Sequence, residues 1–578
     1  MPIVTVRRIS QVFFLILFFW LCLVASVGDR WWQLRGWPVN WLLDLDPLTA
    51  LATMLSTGTL YAPLLWSLAA LVLTAALGRF FCGFACPLGA LNQFFGWLGQ
   101  YSSKPLGRVR ANRPRPARVI KYYLLLFLLA CALTGTLATG LLDPLPLLHR
   151  SINLTLAPIL DSGSLILSFK PRHYGSAWLI GAVLLAILGL NLVIPRFFCR
   201  FACPLGALFG LLSRFAPWRI GKAADHCGEC TVCEAYCEGA CSPSGTVVTG
   251  ECLMCCNCLE RCPHGRIRFD AKPSAGGEAP LPDLSRRGVV MGAAAGLFTG
   301  PALRLGGLTG PNNNPNLIRP PGALDEERFL ARCIRCGQCM RACPSNIIQP
   351  ALAEAGLEGL WTPAINYRLG DSGCQVNCIA CGQVCPTAAI RPLTVDEKRG
   401  RADFAAAGPI RLGSALVDRS RCLPWVLDRP CIVCQELCPV SPKAIFTRTV
   451  FEAIRDGRAK IMTASQDSLE VAGLGPVNAP LAGGDYYLRR SGRQQEALRR
   501  ISVFEGNRIG LVKAPGWSAP PEPGEAVDIV VRLQRPYVDA SRCIGCGMCE
   551  HECPVAGLRA IRVNSENESR SRRGRLII

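Results

Sequence analysis

Four long apolar runs with few charged positions divide the first 220 residues of the chain. They extend from Ile9 to Val27, from Leu60 to Leu77, from Val119 to Leu142 and from Ser176 to Ile194. At about 1.5 Å rise per residue, helices of these lengths are suited to a hydrocarbon layer of about 30 Å. Buried core helices are the alternative interpretation, but four such runs in one segment favour a membrane bundle with four spans.

The loops between the apolar runs differ in charge. The segment from Arg79 to Lys121 contains six further basic residues and no acidic residue, which predicts a cytoplasmic loop. The segment from Gly28 to Thr59 balances its basic residues with acidic ones. It also carries four tryptophans suited to a membrane interface, Trp31, Trp32, Trp37 and Trp41. This second loop is therefore expected on the opposite side.

A fifth, weaker apolar stretch follows Ser285-Arg286-Arg287 and continues to about Leu308. Paired arginines before an apolar stretch are typical of a twin-arginine export signal, here placed internally. A surface turn or a Gly-Ala linker are the alternatives. We predict four domains: a membrane bundle at 1–220, a two-cluster ferredoxin domain at 221–275, a signal-like segment and linker at 276–320, and a four-cluster ferredoxin domain at 321–578.

Composition agrees with a multidomain membrane protein. The chain has 578 residues, half of them hydrophobic, with a mean hydropathy of +0.28. Its net charge of +21 lies largely beside the apolar runs, so nucleic-acid binding is not expected. The 32 cysteines come in bursts three or four residues apart, which favours metal ligation over a disulfide framework.

Two cysteine motifs with bacterial ferredoxin spacing follow the bundle. Their members are Cys227, Cys230, Cys233 and Cys237, then Cys252, Cys255, Cys258 and Cys262. In two-cluster ferredoxins the fourth cysteine binds the other cluster, so Cys237 is expected with the second trio and Cys262 with the first. Cys241 is an alternative to Cys237, and Cys256 is out of phase. Structural zinc usually takes separated cysteine pairs, so this spacing favours 4Fe-4S clusters.

Four more motifs lie in the C-terminal part. Two are regular: Cys333, Cys336, Cys339 and Cys343, and Cys543, Cys546, Cys549 and Cys553. Two have a displaced first ligand: Cys374, Cys378, Cys381 and Cys385, and Cys422, Cys431, Cys434 and Cys438. Altogether 24 of the 32 cysteines are predicted ligands of about six 4Fe-4S clusters. The stretch between Cys438 and Cys543 has strand-like pieces and no readable chemistry.

The bundle contains an internal repeat. The 13 residues from Arg79 recur from Arg196, and only Gly83 is replaced, by Arg200. Each copy carries two cysteines four positions apart, which would share one face if the segment is helical. Both pairs could then meet at the cytoplasmic end of the bundle: Cys82, Cys86, Cys199 and Cys203. These four cysteines could form a cofactor-binding metal or redox site, or they could be packing residues before a proline. Cys22 and Cys131 are given no role.

These motifs carry a family resemblance. The duplicated Phe-Ala-Cys-Pro motif followed by two cluster motifs resembles NapH, the membrane quinol dehydrogenase component of periplasmic nitrate reduction, and its relatives NosR and the copper-reducing maturation proteins. The part from Ser285 resembles NapG and MauM, exported four-cluster ferredoxins. The chain is thus similar to a fusion of the two. The spacing around Cys374 and the long stretch before Cys543 depart from the NapG pattern.

The resemblance implies a multi-pass protein of the bacterial inner membrane, a helical bundle joined to α+β ferredoxin domains. The N-terminal ferredoxin domain would be cytoplasmic and the C-terminal one periplasmic. Quinol would supply electrons, and a periplasmic redox enzyme or cytochrome would accept them. The alternative is a maturation factor that reduces a metal such as copper. No haem, flavin or NAD site is expected, because Cys-x-x-Cys-His and nucleotide loops are missing and no histidine lies mid-span.

Overall fold

The computed structural model describes residues 2–26, 37–101, 104–163, 172–223, 230–305, 314, 316–474, 484–492, 497–512 and 521–570. Two compact units divide the chain. The first comprises Met1–Gly370, Asn377–Ile410 and Arg570–Arg572, and the second comprises Asp371–Val376, Arg411–Ser569 and Arg573–Ile578. Residues 321–578, which the sequence predicts to be one four-cluster domain, therefore contribute to both units.

Helices form the N-terminal part of the first unit. They are α1 (Ile3–Val24), α2 (Trp41–Asp44), α3 (Pro47–Thr57), α4 (Ser67–Leu77), α5 (Phe80–Phe84), α6 (Pro87–Gln100), α7 (Pro105–Asn112), α8 (Ile120–Leu133), α9 (Pro144–Ser151), α10 (Ala157–Gly163), α11 (Ala177–Val193), α12 (Phe197–Phe201) and α13 (Pro204–Ser213). Their apolar side chains share one buried core, with Phe18, Leu125 and Phe209 among its members. The apolar runs read from the sequence thus correspond to helices.

Among the described residues, two helices are long and apolar enough to cross a membrane, Ile3–Val24 and Leu106–Leu133. The apolar helices Ala62–Leu77 and Ala177–Val193 are shorter. The third predicted span was placed as far as Leu142, but α8 ends at Leu133 because Gly135 adopts a left-handed φ of 83°. The four-span bundle is therefore not confirmed, although these helices leave large apolar side chains such as Ile16 and Leu185 exposed.

Two small ferredoxin modules complete the first unit. The first ferredoxin module, residues 219–283, contains β1 (Arg219–Lys222), α14 (Val232–Ala235), β2 (Val247–Val248), α15 (Asn257–Arg261), β3 (Ile267–Asp270) and β4 (Glu278–Ala279). In this module β1 pairs with β3 in antiparallel register and β2 with β4 in parallel register. Its short helices carry the cysteine motifs and its strands hold the ends of the module together, as in an α+β ferredoxin fold.

Helix α16 (Arg286–Leu305) begins at the paired arginines and packs along α8. Four glycines recur at every fourth position of α16: Gly288, Gly292, Gly296 and Gly300. A Cβ atom on Gly296 would overlap the carbonyl oxygen of Phe127, and one on Gly300 would overlap Thr134. Small residues at this spacing let two helices approach closely. Because Gly288 meets Tyr123 and Gly300 meets Thr134, the two helices run parallel.

The second ferredoxin module, residues 316–410, follows α16. It contains α17 (Glu326–Leu330), α18 (Gln338–Ala342), β5 (Ile348–Pro350), β6 (Pro363–Ile365), α19 (Ala380–Gln383) and α20 (Val395–Arg399). The strands β5 and β6 pair in antiparallel register. Arg319 forms a paired hydrogen bond with Glu326 at the start of α17, which fixes the segment that leads to the first cysteine of this module.

The second unit combines a third ferredoxin module with a barrel. It contains β7 (Ser414–Val417), α21 (Leu423–Val426), α22 (Val433–Glu436), β8 (Ile445–Ala464), β9 (Ser468–Ala472), β10 (Tyr486–Arg490), β11 (Arg499–Glu505), β12 (Arg508–Leu511), β13 (Ala526–Val538), α23 (Met548–His551) and β14 (Ile561–Asn564). Strands β8 to β13 close into a barrel in the order β10-β11-β12-β9-β8-β13, around a core that includes Leu488 and Ile529. Strand β14 pairs with β7 in the ferredoxin module.

Candidate iron-sulfur sites and the four-cysteine pocket

In the first ferredoxin module, one cysteine of the first motif lies with the cysteines of the second motif. Burial raises the pKa of Cys258 well above its usual value, and the charges of Cys255, Cys252 and Cys237 raise it further. Such mutual effects require the four thiols to lie close together. The structure therefore brings Cys237 to the trio of Cys252, Cys255 and Cys258, the arrangement that the ferredoxin spacing predicts.

Cys241 lies at the same place. Its Sγ atom is 3.4 Å from Sγ of Cys237, and it also interacts with Cys252. The sequence leaves Cys237 and Cys241 as alternatives for the fourth ligand. In the structure both thiols lie near the trio. The other predicted set is incompletely described, because Cys227 lies outside the described residues, and the pairing of Cys262 with it stays a prediction.

The second ferredoxin module joins cysteines from two motifs. Burial raises the pKa of Cys339, and the charges of Cys336, Cys333 and Cys385 raise it further. Cys385, the last cysteine of its own motif, therefore lies with the preceding trio. Such an exchange of the fourth ligand is typical of two-cluster ferredoxins.

The displaced motif in the same region is divided. Cys378 interacts with Cys343 in the first unit, and Cys381 belongs to that unit as well. Cys374, which the sequence groups with them, belongs to the second unit, where its amide donates to the carbonyl oxygen of Cys546 at 2.7 Å. The structure thus places Cys378 and Cys381 of the predicted set in one unit with Cys343 of the preceding motif, and Cys374 in the other unit.

The third ferredoxin module shows the same exchange twice. Burial and the charges of Cys546, Cys543, Cys434 and Cys438 raise the pKa of Cys549. A separate pocket is lined by four cysteines of the module, Cys422, Cys431, Cys434 and Cys553. Cys438 is therefore near the last trio, and Cys553 completes the displaced one. The remaining lining of the pocket is apolar and uncharged.

The barrel accounts for the long insertion between Cys438 and Cys543. Its two longest strands, β8 and β13, pair along their length, and Ile445 at the start of β8 lies opposite Val538 at the end of β13. This pairing brings the two ends of the insertion together. The insertion, in which the sequence offered no chemistry, thus brings Cys438 toward the trio that begins at Cys543.

The duplicated motif of the bundle forms one pocket. All four of its cysteines, Cys82, Cys86, Cys199 and Cys203, line a pocket of about 320 Å³, the bundle pocket. Among the described residues, no three His, Cys, Asp or Glu side chains converge as closely as a single metal ion requires. The four thiols of the bundle pocket therefore surround a space rather than a point.

The two pairs meet, but the two cysteines of each pair do not lie on one continuous helix. Cys82 lies in α5, but Cys86 has extended backbone and caps α6, where its Sγ accepts from the amide of Gly89 at 3.3 Å. Cys203 caps α13 in the same way, with the amide of Gly206 at 3.2 Å. The reason is the following proline, which excludes helical backbone at the residue before it and starts a new helix.

Two buried arginines, one from each repeat, flank the bundle pocket. Arg196 donates to Glu238 at 2.8 Å, and Arg79 lies 3.7 Å from Glu251. Burial alone would raise the pKa of Glu238, but the charges of Arg196 and Arg7 lower it below its usual range. Both glutamates adjoin cysteines of the first ferredoxin module. The sequence analysis missed these pairs, although the repeat itself contains both arginines.

The two ferredoxin modules of the first unit contact the bundle near opposite ends of α8. Lys121 and Tyr122, at the start of α8, both donate to Glu251 of the first module. Past the other end of α8, a Cβ atom on Gly140 would overlap the carbonyl oxygen of Ile334 in the second module. Arg150 reaches the same module, since it donates to the carbonyl oxygen of Arg335 at 3.2 Å.

One histidine is buried in the bundle, outside the four apolar runs predicted to be spans. His149 is fully buried, and its Nδ1 atom is 3.6 Å from Sγ of Cys22 and 3.4 Å from Nε2 of Gln338. It escaped notice because it lies in the short amphipathic helix α9 rather than in a long apolar run. Cys22, given no role from the sequence, is thus its neighbour.

Family profiles and known proteins resemble the chain in these regions. A profile described as a 4Fe-4S binding domain matches residues 59–105 and 175–223, the two repeats of the bundle. A second profile with the same description matches residues 329–349 and 536–559. No solved structure matches.

Three curated relatives illustrate the similarity. The putative electron transport protein YccM of Escherichia coli is 30% identical over 42% of this chain and 67% of its own length. The methylamine utilization ferredoxin-type protein MauM of Methylobacillus flagellatus is 32% identical over 28% of this chain and 61% of its own. The ferredoxin-type protein NapG of Escherichia coli is 38% identical over 22% of this chain and 50% of its own. The chain thus spans half to two thirds of these relatives, and it belongs to the family of ferredoxin-type 4Fe-4S electron-transport proteins.

Proposed function

We propose that this protein is a multi-pass protein of the bacterial inner membrane that relays electrons from quinol to a periplasmic acceptor. The observation that carries the proposal is the attachment of two ferredoxin modules to one helical bundle at different ends of α8. A 4Fe-4S cluster bound at the cysteine sets would accept and release one electron at a time. The chain's own residues fix the modules to the bundle through buried ion pairs and backbone contacts.

The sidedness follows from the basic loop and from α16. The loop between α6 and α8 is rich in arginine, which favours the cytoplasm, and Asn112 in it donates to the carbonyl oxygen of Ala235 in the first module at 2.8 Å. Helix α16 runs parallel to α8 and leads from the first module to the second. We therefore place the first module in the cytoplasm and the second module in the periplasm, with α16 packed along α8 between them.

Quinol is the proposed donor because the bundle offers apolar surface to the bilayer. Large side chains on α1 and α11, including Phe13, Leu185 and Val193, are more than half exposed and would contact lipid. A lipid-soluble donor can approach such a surface sideways. Oxidation of one quinol releases two electrons and two protons, which matches one-electron acceptors present in several copies.

The test uses the full chain in sealed proteoliposomes. Added quinol should bleach the iron-sulfur absorbance without oxygen, and a membrane-impermeant oxidant should reoxidise the clusters from the face that carries the second module. Accessibility of single cysteines introduced at Asn316 and at Asp270 identifies that face. Clusters that stay oxidised with quinol but are reoxidised by Cu²⁺ after chemical reduction would contradict the proposal and favour metal reduction.

A further inference from the structure

The bundle pocket has the donors of a cluster site. Its four cysteines come from the two copies of one repeat, and a 4Fe-4S profile matches both copies. The pocket formed by Cys422, Cys431, Cys434 and Cys553, a set with predicted ferredoxin ligands, is likewise lined by four thiols. Two pockets with four thiols each suit the same kind of group.

Two buried cations extend to this pocket, and both side chains are at most 1% exposed. Arg79 interacts with the thiol of Cys82, and Nη1 of Arg196 has no hydrogen-bond partner among the described residues. The arrangement is crossed between the repeats. Arg79 lies beside Gly206, which follows Cys203, and Arg196 lies beside Gly89, which follows Cys86. An unsatisfied guanidinium nitrogen at this depth indicates an anionic partner.

A cubane with four thiolates is such an anion, with a net charge of about −2. The two arginines, whose charges are already paired with Glu251 and Glu238, would supply N–H donors for its sulfur atoms. Further donors already face the thiols. The amides of Gly89 and Gly206 donate to Cys86 and Cys203, and Nδ2 of Asn92 lies 3.5 Å from Sγ of Cys199.

The pocket also lies between the two ferredoxin modules. On one side, Gly83, between Cys82 and Cys86, abuts the backbone of Leu253 and Met254, which separate two cysteines of the first module. On the other side, Pro144 lines the pocket, and Gly140 abuts Ile334, which separates two cysteines of the second module. Four residues of chain reach at most about 14 Å.

We propose that Cys82, Cys86, Cys199 and Cys203 hold one 4Fe-4S cluster, shared by the two repeats, that connects the clusters of the first and second ferredoxin modules through the bundle. This inference rests on the proposed function for its direction of flow, but not for its ligands. The two electrons released by one quinol would pass through this site one after the other. The two protons of the quinol would leave separately. No haem would then be needed between the modules.

The test is the iron and sulfide content of the full chain, isolated without oxygen, together with its Mössbauer spectrum. With six other sets filled, the wild type should contain about 28 iron atoms per chain, and the double variant Cys82→Ser, Cys199→Ser should lose about four. The matched control is Cys22→Ser with Cys131→Ser, two buried thiols of the same bundle that line neither pocket. The control should keep all the iron.

A milder variant covers the case in which the double variant does not fold. Asn92→Ala removes one N–H donor to Cys199 and should lower the reduction potential of one cluster without loss of iron, measured by redox titration with dithionite and electron paramagnetic resonance. The proposal is overturned if the folded double variant keeps its iron, if copper rather than iron is lost, or if Asn92→Ala leaves every potential unchanged. None of these readouts uses quinol, so failure of quinol oxidation alone would count against the proposed function and not against this site.

Discussion

The bundle pocket and the pocket of the third ferredoxin module are each lined by four thiols, but the sequence supplies those thiols in two different ways. In the ferredoxin module, Cys422, Cys431 and Cys434 come from one motif, and Cys553 crosses over from another. In the bundle, the two copies of one short motif supply two cysteines each. The first kind of site is defined mainly by local spacing, and the second exists only when two distant repeats pack together.

The surroundings of the two pockets also differ. The ferredoxin pocket has an apolar lining without charge, whereas Arg79 lines the bundle pocket and Arg196 lies against it. Nearby positive charge and N–H donors to sulfur raise the reduction potential of an iron-sulfur cluster. A site between two modules therefore differs from a ferredoxin site in electrostatics more than in ligands. The following predictions test how far each site depends on residues outside its own motif.

The largest effect is expected from the exchanged ligands of the third module. Cys553→Ala should remove the cluster of Cys422, Cys431 and Cys434, about four iron atoms. Adding Cys434→Ala to this variant should remove no further iron, because Cys434 and Cys553 belong to one site. Adding Cys549→Ala instead should raise the total loss to about eight iron atoms. Iron and sulfide assays measure this, with Cys256→Ala as the thiol control. Equal losses in the two double variants would disprove the crossed arrangement.

A smaller effect is expected at the contact between the bundle and the first module. Lys121 is fully buried and pairs with Glu251, so Lys121→Met should lower the free energy of unfolding by about 3–5 kcal/mol. Replacing Glu251 with Gln in the same chain should not restore the loss, because it would leave the buried Arg79 without its carboxylate partner. Denaturant unfolding followed by cluster absorbance measures it. Arg391→Met, at a half-exposed pair with Glu397, should change the stability by about 0–1 kcal/mol and is the control.

The glycine stripe of α16 should give an intermediate loss. Gly296→Leu places a side chain against the backbone of Phe127, so overpacking should cost about 1–3 kcal/mol and separate α16 from α8. Gly189→Leu in α11 is the matched control, since no atom lies within 4 Å of its Cβ position. Thermal unfolding in nanodiscs distinguishes them. Equal midpoints would show that the stripe does not hold the helices together.

The smallest effect is expected in the pH dependence of the stability of the second module. Burial would raise the pKa of Glu326, but the charges of Arg319 and Arg570 lower it below its usual value. A lowered folded pKa gives stability that is present above the usual glutamate value and lost as the pH falls through the folded value. The unfolding midpoint should therefore change little from pH 7 to about 5 and fall below about pH 4.5. Glu326→Gln should flatten that fall, and an unchanged slope would contradict it.

Regular cysteine spacing is a local pattern, so the sequence alone could group Cys252, Cys255 and Cys258 and expect Cys237 with them. The positions of Cys438 and Cys553 depend on how separate motifs pack together. Where the first ligand is displaced, the local pattern does not show to which unit it belongs. Cys374 is four residues from Cys378, but the chain between them passes from one unit to the other, which no local pattern reveals.

The duplicated motif, the apolar runs and the cysteine counts are properties of the sequence by itself, because each depends on residues near one another in the chain. The tertiary structure decided the rest. It closed residues 445–538 into a barrel, placed His149 beside Cys22, ended α8 at Leu133, and crossed Arg79 and Arg196 between repeats. These features depend on contacts between residues tens or hundreds of positions apart, and such contacts leave no periodic signal in the chain that makes them.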